Sequence, residues 1–143
     1  MVEIKFKKLD FGAKVPVYAT EGDAGMDLFS NEELILKPGE RVLVSTGISS
    51  EFPMGYVALI WDKSGLAVKK GIKTMAGVID CGYRGEWKIA LYNTSNEDFK
   101  IEKGDKIAQA LIQPIEHASI KEVSEDLSES ERGEGGFGST GIK

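Results

Sequence analysis

The chain has 143 residues, a length that suits one domain with a single hydrophobic core. Hydrophobic residues make up 41% of it and charged residues 29%, and the formal net charge is −5. This charge argues against a nucleic-acid partner, and a polyanionic ligand would need local cations to hold it. With one cysteine, Cys81, and one histidine, His117, the chain excludes an internal disulfide and metal sites built from cysteine or histidine clusters.

The distribution of apolar residues excludes a membrane-spanning helix. No segment approaches eighteen uninterrupted apolar residues, so no membrane partner is expected. Residues 1–9 alternate polar and apolar side chains and lack the apolar block of a signal peptide. We therefore predict a cytoplasmic protein.

Short strands separated by Gly, Pro and Asp turns are predicted along most of the chain. No window carries a helical stripe longer than two turns, and the many short strands with 17 glycines favour an all-β sandwich or barrel. Residues 77–79 and 87–92 flank a Gly-containing turn and look like the two strands of a hairpin. In chain order the predicted strands are 2–7, 33–36, 41–48, 56–61, 77–79, 87–92, 99–101, 106–115 and 120–123.

The C-terminal segment differs from the rest in composition. It is acidic and Ser-rich at first and then reads RGEGGFGSTG at residues 132–141. Because it cannot bury enough apolar surface to fold alone, we predict a β domain at 1–123 and a flexible tail at 124–143. The patterned string favours a tail that orders on a ligand, and an unstructured glycine-rich terminus is the alternative.

Five segments carry a resemblance to a known family. They read AGMDL (24–28), DKSGLA (62–67), GVIDCGYRGE (77–86), GDKIAQ (104–109) and RGEGGFGSTG (132–141). A lone Gly-rich string is common, but these five, in this order, resemble the five motifs of the trimeric dUTPase family. The resemblance implies a distorted jelly-roll-like β-barrel with an extended flexible C-terminal tail, and a homotrimer with shared active sites. It also implies Mg²⁺-dependent hydrolysis of dUTP to dUMP and pyrophosphate, which limits uracil incorporation into DNA and supplies dUMP for thymidylate synthesis.

The resemblance places the catalytic and metal-binding roles on acidic and amide side chains. The residue matching Asp80 orients and activates the water that attacks the α-phosphate, a task that suits a carboxylate. Asp27 matches an acidic residue near the metal, and contact through water is expected because Mg²⁺ keeps several waters. Gln109 matches a residue that contacts the phosphates and the water shell of the metal. The alternative for Asp80 is a turn aspartate that bonds nearby amides.

The nucleoside is expected to bind at the predicted hairpin. By the resemblance, Tyr83 packs flat on the deoxyribose and leaves no room for a 2′-hydroxyl. Backbone groups of Gly77, Val78 and Ile79 match those that pair with uracil. The remaining predicted substrate contacts in this region are Thr74, at a position that often carries Asn in related sequences, and Lys88.

The phosphates are expected to bind at DKSGLA. The hydroxyl of Ser64 and the exposed amide of Gly65 can cradle oxyanions. The family usually has Arg at the position of Lys63, and Lys keeps the positive charge but lacks the bidentate fork. A solvated surface lysine is the alternative for Lys63.

The tail is expected to complete the site. By the resemblance, Phe137 stacks over uracil and Arg132 reaches the γ-phosphate, where a guanidinium fits well. Gly138, Ser139 and Thr140 would offer amides and hydroxyls to the triphosphate. Closure of the tail would exclude bulk water from the reaction.

Two alternative functions remain open at this point. A dCTP deaminase or a bifunctional enzyme shares the Gly-x-Ile-Asp pattern, but the position of its catalytic Glu corresponds to Ala90. A non-catalytic dUTP-binding β module, such as a capsid-like jelly roll, would bind without turnover. Ammonia release from dCTP would indicate the first alternative, and binding without hydrolysis the second.

Overall fold

A computed structural model describes residues 2–136, which form short strands and one two-turn helix. The elements are β1 (Lys5–Lys8), β2 (Met26–Phe29), β3 (Leu34–Leu36), β4 (Arg41–Ser45), β5 (Ile48–Glu51), β6 (Tyr56–Trp61), α1 (Ser64–Lys70), β7 (Ile72–Met75), β8 (Val78–Asp80), β9 (Lys88–Asn93), β10 (Phe99–Ile101) and β11 (Lys106–Pro114).

The strands pair antiparallel in four sheets that enclose one core. Their orders are β2-β11-β6-β8, β4-β9-β7, β1-β5 and β10-β3. The predicted all-β class is confirmed, and the fold is jelly-roll-like. Within the part of the chain that the structure describes, no helix combines the length and the apolarity needed to cross a membrane.

The core forms because strand residues alternate between its interior and its surface. On β9, Ile89 and Leu91 are fully buried, and Trp87, just before it, packs edge-on against the Phe6 ring at 5.4 Å. Burying an aliphatic side chain of this size contributes about 1.5–3 kcal/mol. The buried Asn93 at the end of β9 is satisfied because its amide donates to the carbonyls of Leu36 and Glu97. β9 is therefore a rigid element beside the site described below.

The predicted hairpin is wrong in its pairing. β8 pairs with β6, whereas β9 pairs with β4 and β7, so the two strands belong to different sheets. The redirection occurs before β8, where Ala76 and Gly77 both have positive φ, 58° and 105°. A Cβ at Gly77 would lie 2.9 Å from the carbonyl oxygen of Ile60, so only glycine fits the close approach of β6.

Other element predictions met mixed outcomes. The bounds of β6 and β10 are confirmed, and the predicted strand at 41–48 is interrupted after Ser45 by Gly47 at φ 67°. The predicted strand at 120–123 is wrong, because those residues are exposed and unpaired with any described strand. β2, β7, α1 and all of β5 except Ile48 were not predicted. α1 is too short to show a stripe, none of its residues is fully buried, and it ends at Gly71 in the left-handed conformation.

Residues 115–136 lie outside helices and strands. Most of their side chains are exposed, and the Gly133 and Gly135 amides close a turn on the Ser130 and Arg132 carbonyls. The division into a domain at 1–123 and a tail at 124–143 stays a prediction.

Candidate active site

A concave pocket of about 290 Å³ lies between β8 and the start of β9. Because β8 is the outer strand of its sheet, the backbone groups on its free edge can bond a ligand. Asp80 ends β8 with an exposed side chain, and its carbonyl accepts a hydrogen bond from the Tyr83 amide at 3.0 Å. The lining residues are Leu43, Val78, Ile79, Asp80, Tyr83, Glu86 and Lys88. Four of the predicted substrate residues and the predicted catalytic residue therefore share one pocket.

The Tyr83 ring is folded back over its own turn. Its hydroxyl donates to the Glu86 carbonyl at 3.0 Å, and a Cβ at Gly85 would overlap that hydroxyl oxygen. The residue stays 45% exposed. The aromatic face is therefore presented to the pocket while the phenol is tied to the backbone behind it.

Glu86 joins the turn to the neighbouring sheet. Its carboxylate accepts hydrogen bonds from the Ser45 hydroxyl and, at 2.9 Å, from the Gly47 amide, and the Lys88 ammonium lies 3.7 Å away. Burial alone would raise the pKa of Glu86, but these donors and the Lys88 charge outweigh it and lower that pKa overall. The carboxylate is therefore ionised at neutral pH.

A second cluster lies where β2, β11 and β6 meet. Asp27 on β2 is almost fully buried, and its carboxylate contacts the Lys63 ammonium on one oxygen. The Lys106 ammonium approaches the other oxygen at 2.7 Å as an ion pair, without hydrogen-bond geometry. Burial would raise the pKa of Asp27, but the two lysines outweigh it and lower that pKa overall.

Asp62 organises the adjoining part of this cluster. Its carboxylate accepts hydrogen bonds at 2.6 Å from both the amide and the hydroxyl of Thr74, and at 2.8 Å from Lys73. Burial would raise the pKa of Asp62, but these donors lower it overall. The Gln109 amide donates to the Asp62 carbonyl at 2.8 Å. Thr74 and Gln109, both predicted to contact substrate, are thus fixed through one residue.

The predicted phosphate-binding segment opens α1. Lys63 is the N-cap residue, and Ser64 and Gly65 are the first two helical residues. The first amides of a helix have no acceptor within the helix, so they are free to bond an anion. Lys63 is not a solvated surface lysine, because its ammonium is held by Asp27.

The distance between the two clusters follows from the strand register. Asp80 is opposite Val57, whereas Asp27 shares a row with Gln109 and Trp61, four residues further along β6. At about 3.3 Å per residue and 4.8 Å per strand, the two rows are roughly 13 Å apart and the two strands roughly 14 Å apart. Asp80 and Asp27 are therefore separated by about 19 Å within one chain.

Two further predictions concern the backbone of Gly77 and the tail. The Gly77 carbonyl accepts a hydrogen bond from the Ile60 amide at 2.7 Å, so that acceptor is used by the fold. Arg132 donates to the Gly135 carbonyl at 2.8 Å, within its own turn. The other predicted tail residues, Phe137, Gly138, Ser139 and Thr140, lie outside the described residues.

Sequence reasoning missed three side chains that hold these clusters together. Asp62, Glu86 and Lys106 all lie within the motif segments, which is the signal that could have found them. Their partners are distant in sequence, as Glu86 and Ser45 are 41 residues apart. Only the folded chain shows which residues they bond.

The side chains near the two clusters determine whether the protein itself can hold a metal ion. Residues 2–136 contain no group of three or more His, Cys, Asp or Glu side chains placed to hold a cation. Asp27 is the nearest candidate, and both of its oxygens face lysines. This arrangement fits an ion held mainly by a ligand's own phosphates and by water.

Comparison with known proteins gives consistent results. The sequence model of the dUTPase family matches residues 12–141. The deoxyuridine 5′-triphosphate nucleotidohydrolase of Clostridium acetobutylicum is 52% identical over 145 aligned positions, which cover 100% of this chain and 99% of that protein. The enzyme of the same name from Nautilia profundicola is 51% identical and covers 98% of this chain and 99% of its own length.

Solved structures share the fold. A mutant dUTPase of Staphylococcus bacteriophage 80alpha, solved with dUpNHpp, superposes with a TM-score of 0.89 at 34% identity, covering 98% of this chain and 99% of its own. A mutant dUTPase from phage phi11 of S. aureus, described for its coordination of a structural Mg(II) ion, superposes with a TM-score of 0.81 at 29% identity. That alignment covers 88% of this chain and 99% of the phage protein.

Proposed function

This chain belongs to the dUTPase family and is an enzyme that hydrolyses dUTP, and from that premise we propose how its residues divide the reaction. Water attacks the α-phosphorus, and dUMP and pyrophosphate are released. The observation that carries this proposal is the shared pocket of Asp80 and Tyr83 beside the free edge of β8. It offers a carboxylate, an aromatic face and backbone groups to one nucleotide.

Asp80 is the catalytic residue. Its exposed carboxylate, at the rim of the pocket, accepts a proton from the attacking water and holds that water in line with the scissile bond. Phosphoryl-type transfer needs little covalent help from the protein, so no covalent intermediate is required.

The pocket selects the nucleoside. Tyr83 presents its ring to the deoxyribose, and a 2′-hydroxyl would clash with it or lose its hydrogen bonds to water. The backbone groups of Val78 and Ile79, on the free edge of β8, form hydrogen bonds with the pairing groups of uracil. Lys88 lines the same pocket. The Gly77 carbonyl serves β6, so its contribution is the close approach of the backbone rather than that acceptor.

The second cluster binds the phosphates. Lys63, Ser64 and Gly65 offer a cation, a hydroxyl and free amides, and Gln109 lies beside them. Mg²⁺, when bound, neutralises the charge that develops on the phosphates. Asp27 meets its water shell rather than the ion itself, since the two lysines already face its oxygens.

One nucleotide cannot reach both clusters of a single chain, which supports a homotrimer with shared sites. The separation of about 19 Å along and across the sheet exceeds the reach of hydrogen bonds from adjacent phosphates. Asp80 of one subunit therefore acts beside Lys63 of another. Trp61 and Val78, both more than half exposed, are apolar surface for such contacts.

The tail, residues 124–143, closes over the bound nucleotide. Arg132 exchanges its local bond to Gly135 for the γ-phosphate, and Phe137 stacks on uracil. We place the enzyme in the cytoplasm.

The proposal is tested by a substrate panel. The full chain is incubated with dUTP, dCTP, dTTP and UTP, with and without Mg²⁺, while pyrophosphate and ammonia are measured. We expect Mg²⁺-dependent pyrophosphate from dUTP alone. Ammonia from dCTP would contradict it in favour of a deaminase. Crosslinking at the same concentration should give a trimer, and complementation between an Asp80→Ala chain and a Lys63→Ala chain should restore part of the activity.

A further inference from the structure

The position of the Tyr83 ring depends on Glu86. The Tyr83 hydroxyl donates to the Glu86 carbonyl at 3.0 Å, while the Glu86 carboxylate accepts from the Ser45 hydroxyl and the Gly47 amide. One residue thus ties the phenol on one side and the β4–β5 junction on the other.

The junction at the far side of Glu86 is rigid. Gly47 has φ 67°, and a Cβ there would lie 2.9 Å from the Cβ of Ala13, so the backbone is closely packed. The Trp87 amide donates to the Ile48 carbonyl at 2.8 Å, and the Trp87 side chain is fully buried. By contrast, Tyr83 is 45% exposed. The ring therefore gains its fixed position through Glu86 rather than through burial.

We propose that Glu86 is a positioning residue that holds Tyr83 against the sugar and so sets the discrimination between deoxyribose and ribose. This inference rests on the proposed role of Tyr83. Exclusion of a 2′-hydroxyl requires the ring to stay within a fraction of an ångström of its place, and supporting hydrogen bonds provide that accuracy. A loosened ring can retreat and admit the hydroxyl, whereas binding of dUTP itself requires less accuracy.

The experiment compares kcat/KM for dUTP and for UTP in the full chain. Glu86→Ala should reduce the dUTP-to-UTP preference about tenfold, mainly through a gain on UTP. Glu86→Gln should restore most of the preference, because its amide oxygen can accept the same two hydrogen bonds. This rescue separates a positioning role from a general loss of structure.

A matched control is available at the same serine, Ser45. The Glu32 carboxylate accepts a hydrogen bond from the Ser45 amide at 2.6 Å, but Glu32 lies outside the pocket of Tyr83. Glu32→Ala should lower the melting temperature and leave the dUTP-to-UTP preference unchanged. Should Glu86→Ala fail to fold, Ser45→Ala removes one donor and should shift the preference in the same direction, about threefold.

An unchanged preference in folded Glu86→Ala or, if that variant does not fold, in Ser45→Ala overturns the proposal. An equal shift in Glu32→Ala also overturns it, because the effect would then be unspecific. A wild-type chain that leaves dUTP intact would contradict the proposed function instead, so the two failures can be told apart.

Discussion

The two clusters of the candidate site are held in place by different means. At the phosphate end, the cluster around Asp27 and Asp62, the Asp27 carboxylate is buried between Lys63 and Lys106. The Asp62 carboxylate there accepts three hydrogen bonds. At the nucleoside end, the turn after β8 is held by the Tyr83 amide and hydroxyl and by neutral donors to the Glu86 carboxylate, and Asp80 remains exposed.

This difference separates stability from activity. The charges at the phosphate end already stabilise each other, so a bound phosphate or ion must exchange partners with them. A substitution there should change folding and binding together. Asp80 contributes to neither packing nor charge pairing in the interior, so its removal should affect the reaction alone.

The largest effect is expected for Asp80→Ala. Loss of the group that orients and deprotonates water should lower kcat by about 10²–10⁴-fold. The melting temperature should stay within about 1–2 °C of wild type, since an exposed side chain contributes little to stability. Asp98→Ala, at another exposed loop position, is the control and should keep full activity. A large drop in melting temperature in Asp80→Ala would remove the distinction between the two ends.

Asp27→Ala should give the opposite result for stability. The substitution removes a buried carboxylate and releases Lys63 and Lys106, which are partly exposed and can return to water. The free energy of unfolding should therefore fall by about 1–3 kcal/mol, less than for a pair buried on both sides. Urea denaturation measures it, and KM for dUTP should rise in the same variant. Unchanged stability would show that the burial of Asp27 has no energetic consequence.

Much of the fold could be predicted from the sequence because its signals are local. A continuous run of apolar, strand-forming residues predicted the bounds of β6, and a short apolar-polar-apolar segment before a turn predicted those of β10. The pairing of β8 and β9 could not be predicted in this way. Adjacent strands usually form hairpins, and the redirection depends on how closely Gly77 approaches Ile60 on β6, the strand with which β8 pairs.

The candidate site was predictable to a similar degree. The motifs located Asp80, Tyr83 and Lys63, because each lies in a distinctive segment. They did not reveal that the Lys63 ammonium is bonded to Asp27, or that the Thr74 hydroxyl donates a hydrogen bond to Asp62. Those bonds join residues distant in sequence, and a single sequence contains no signal for the choice among several possible partners.

The pH dependence of stability provides a finer test of the hydrogen-bonded carboxylates in both clusters. The pKa values of Asp27 and Asp62 in the folded chain lie below 3.8, and that of Glu86 lies below 4.5, their ordinary values. Because the folded pKa is the lower one, the stabilisation is complete above these values and is lost as pH falls through the folded pKa values. Stability should change little between pH 7 and about 5 and then fall, by up to about 1.4 kcal/mol per pH unit for each group. Asp27→Ala should flatten the decline measured by urea denaturation at each pH, because one of these carboxylates is removed.

The smallest effect is expected for Lys63→Arg, which restores the residue usual in the family. A guanidinium can bind the Asp27 carboxylate with two parallel hydrogen bonds and still donate to a phosphate, so both functions of Lys63 are retained. Activity should therefore stay within about threefold of wild type, and the free energy of unfolding within roughly 0.5 kcal/mol. Lys63→Ala, by contrast, should raise KM about tenfold, because a charge beside the phosphates is lost while Lys106 still pairs with Asp27. If Lys63→Arg impaired the enzyme as strongly as Lys63→Ala, charge alone would not account for this position. The spacing between Asp27 and a compact ammonium would then be what the phosphate end requires.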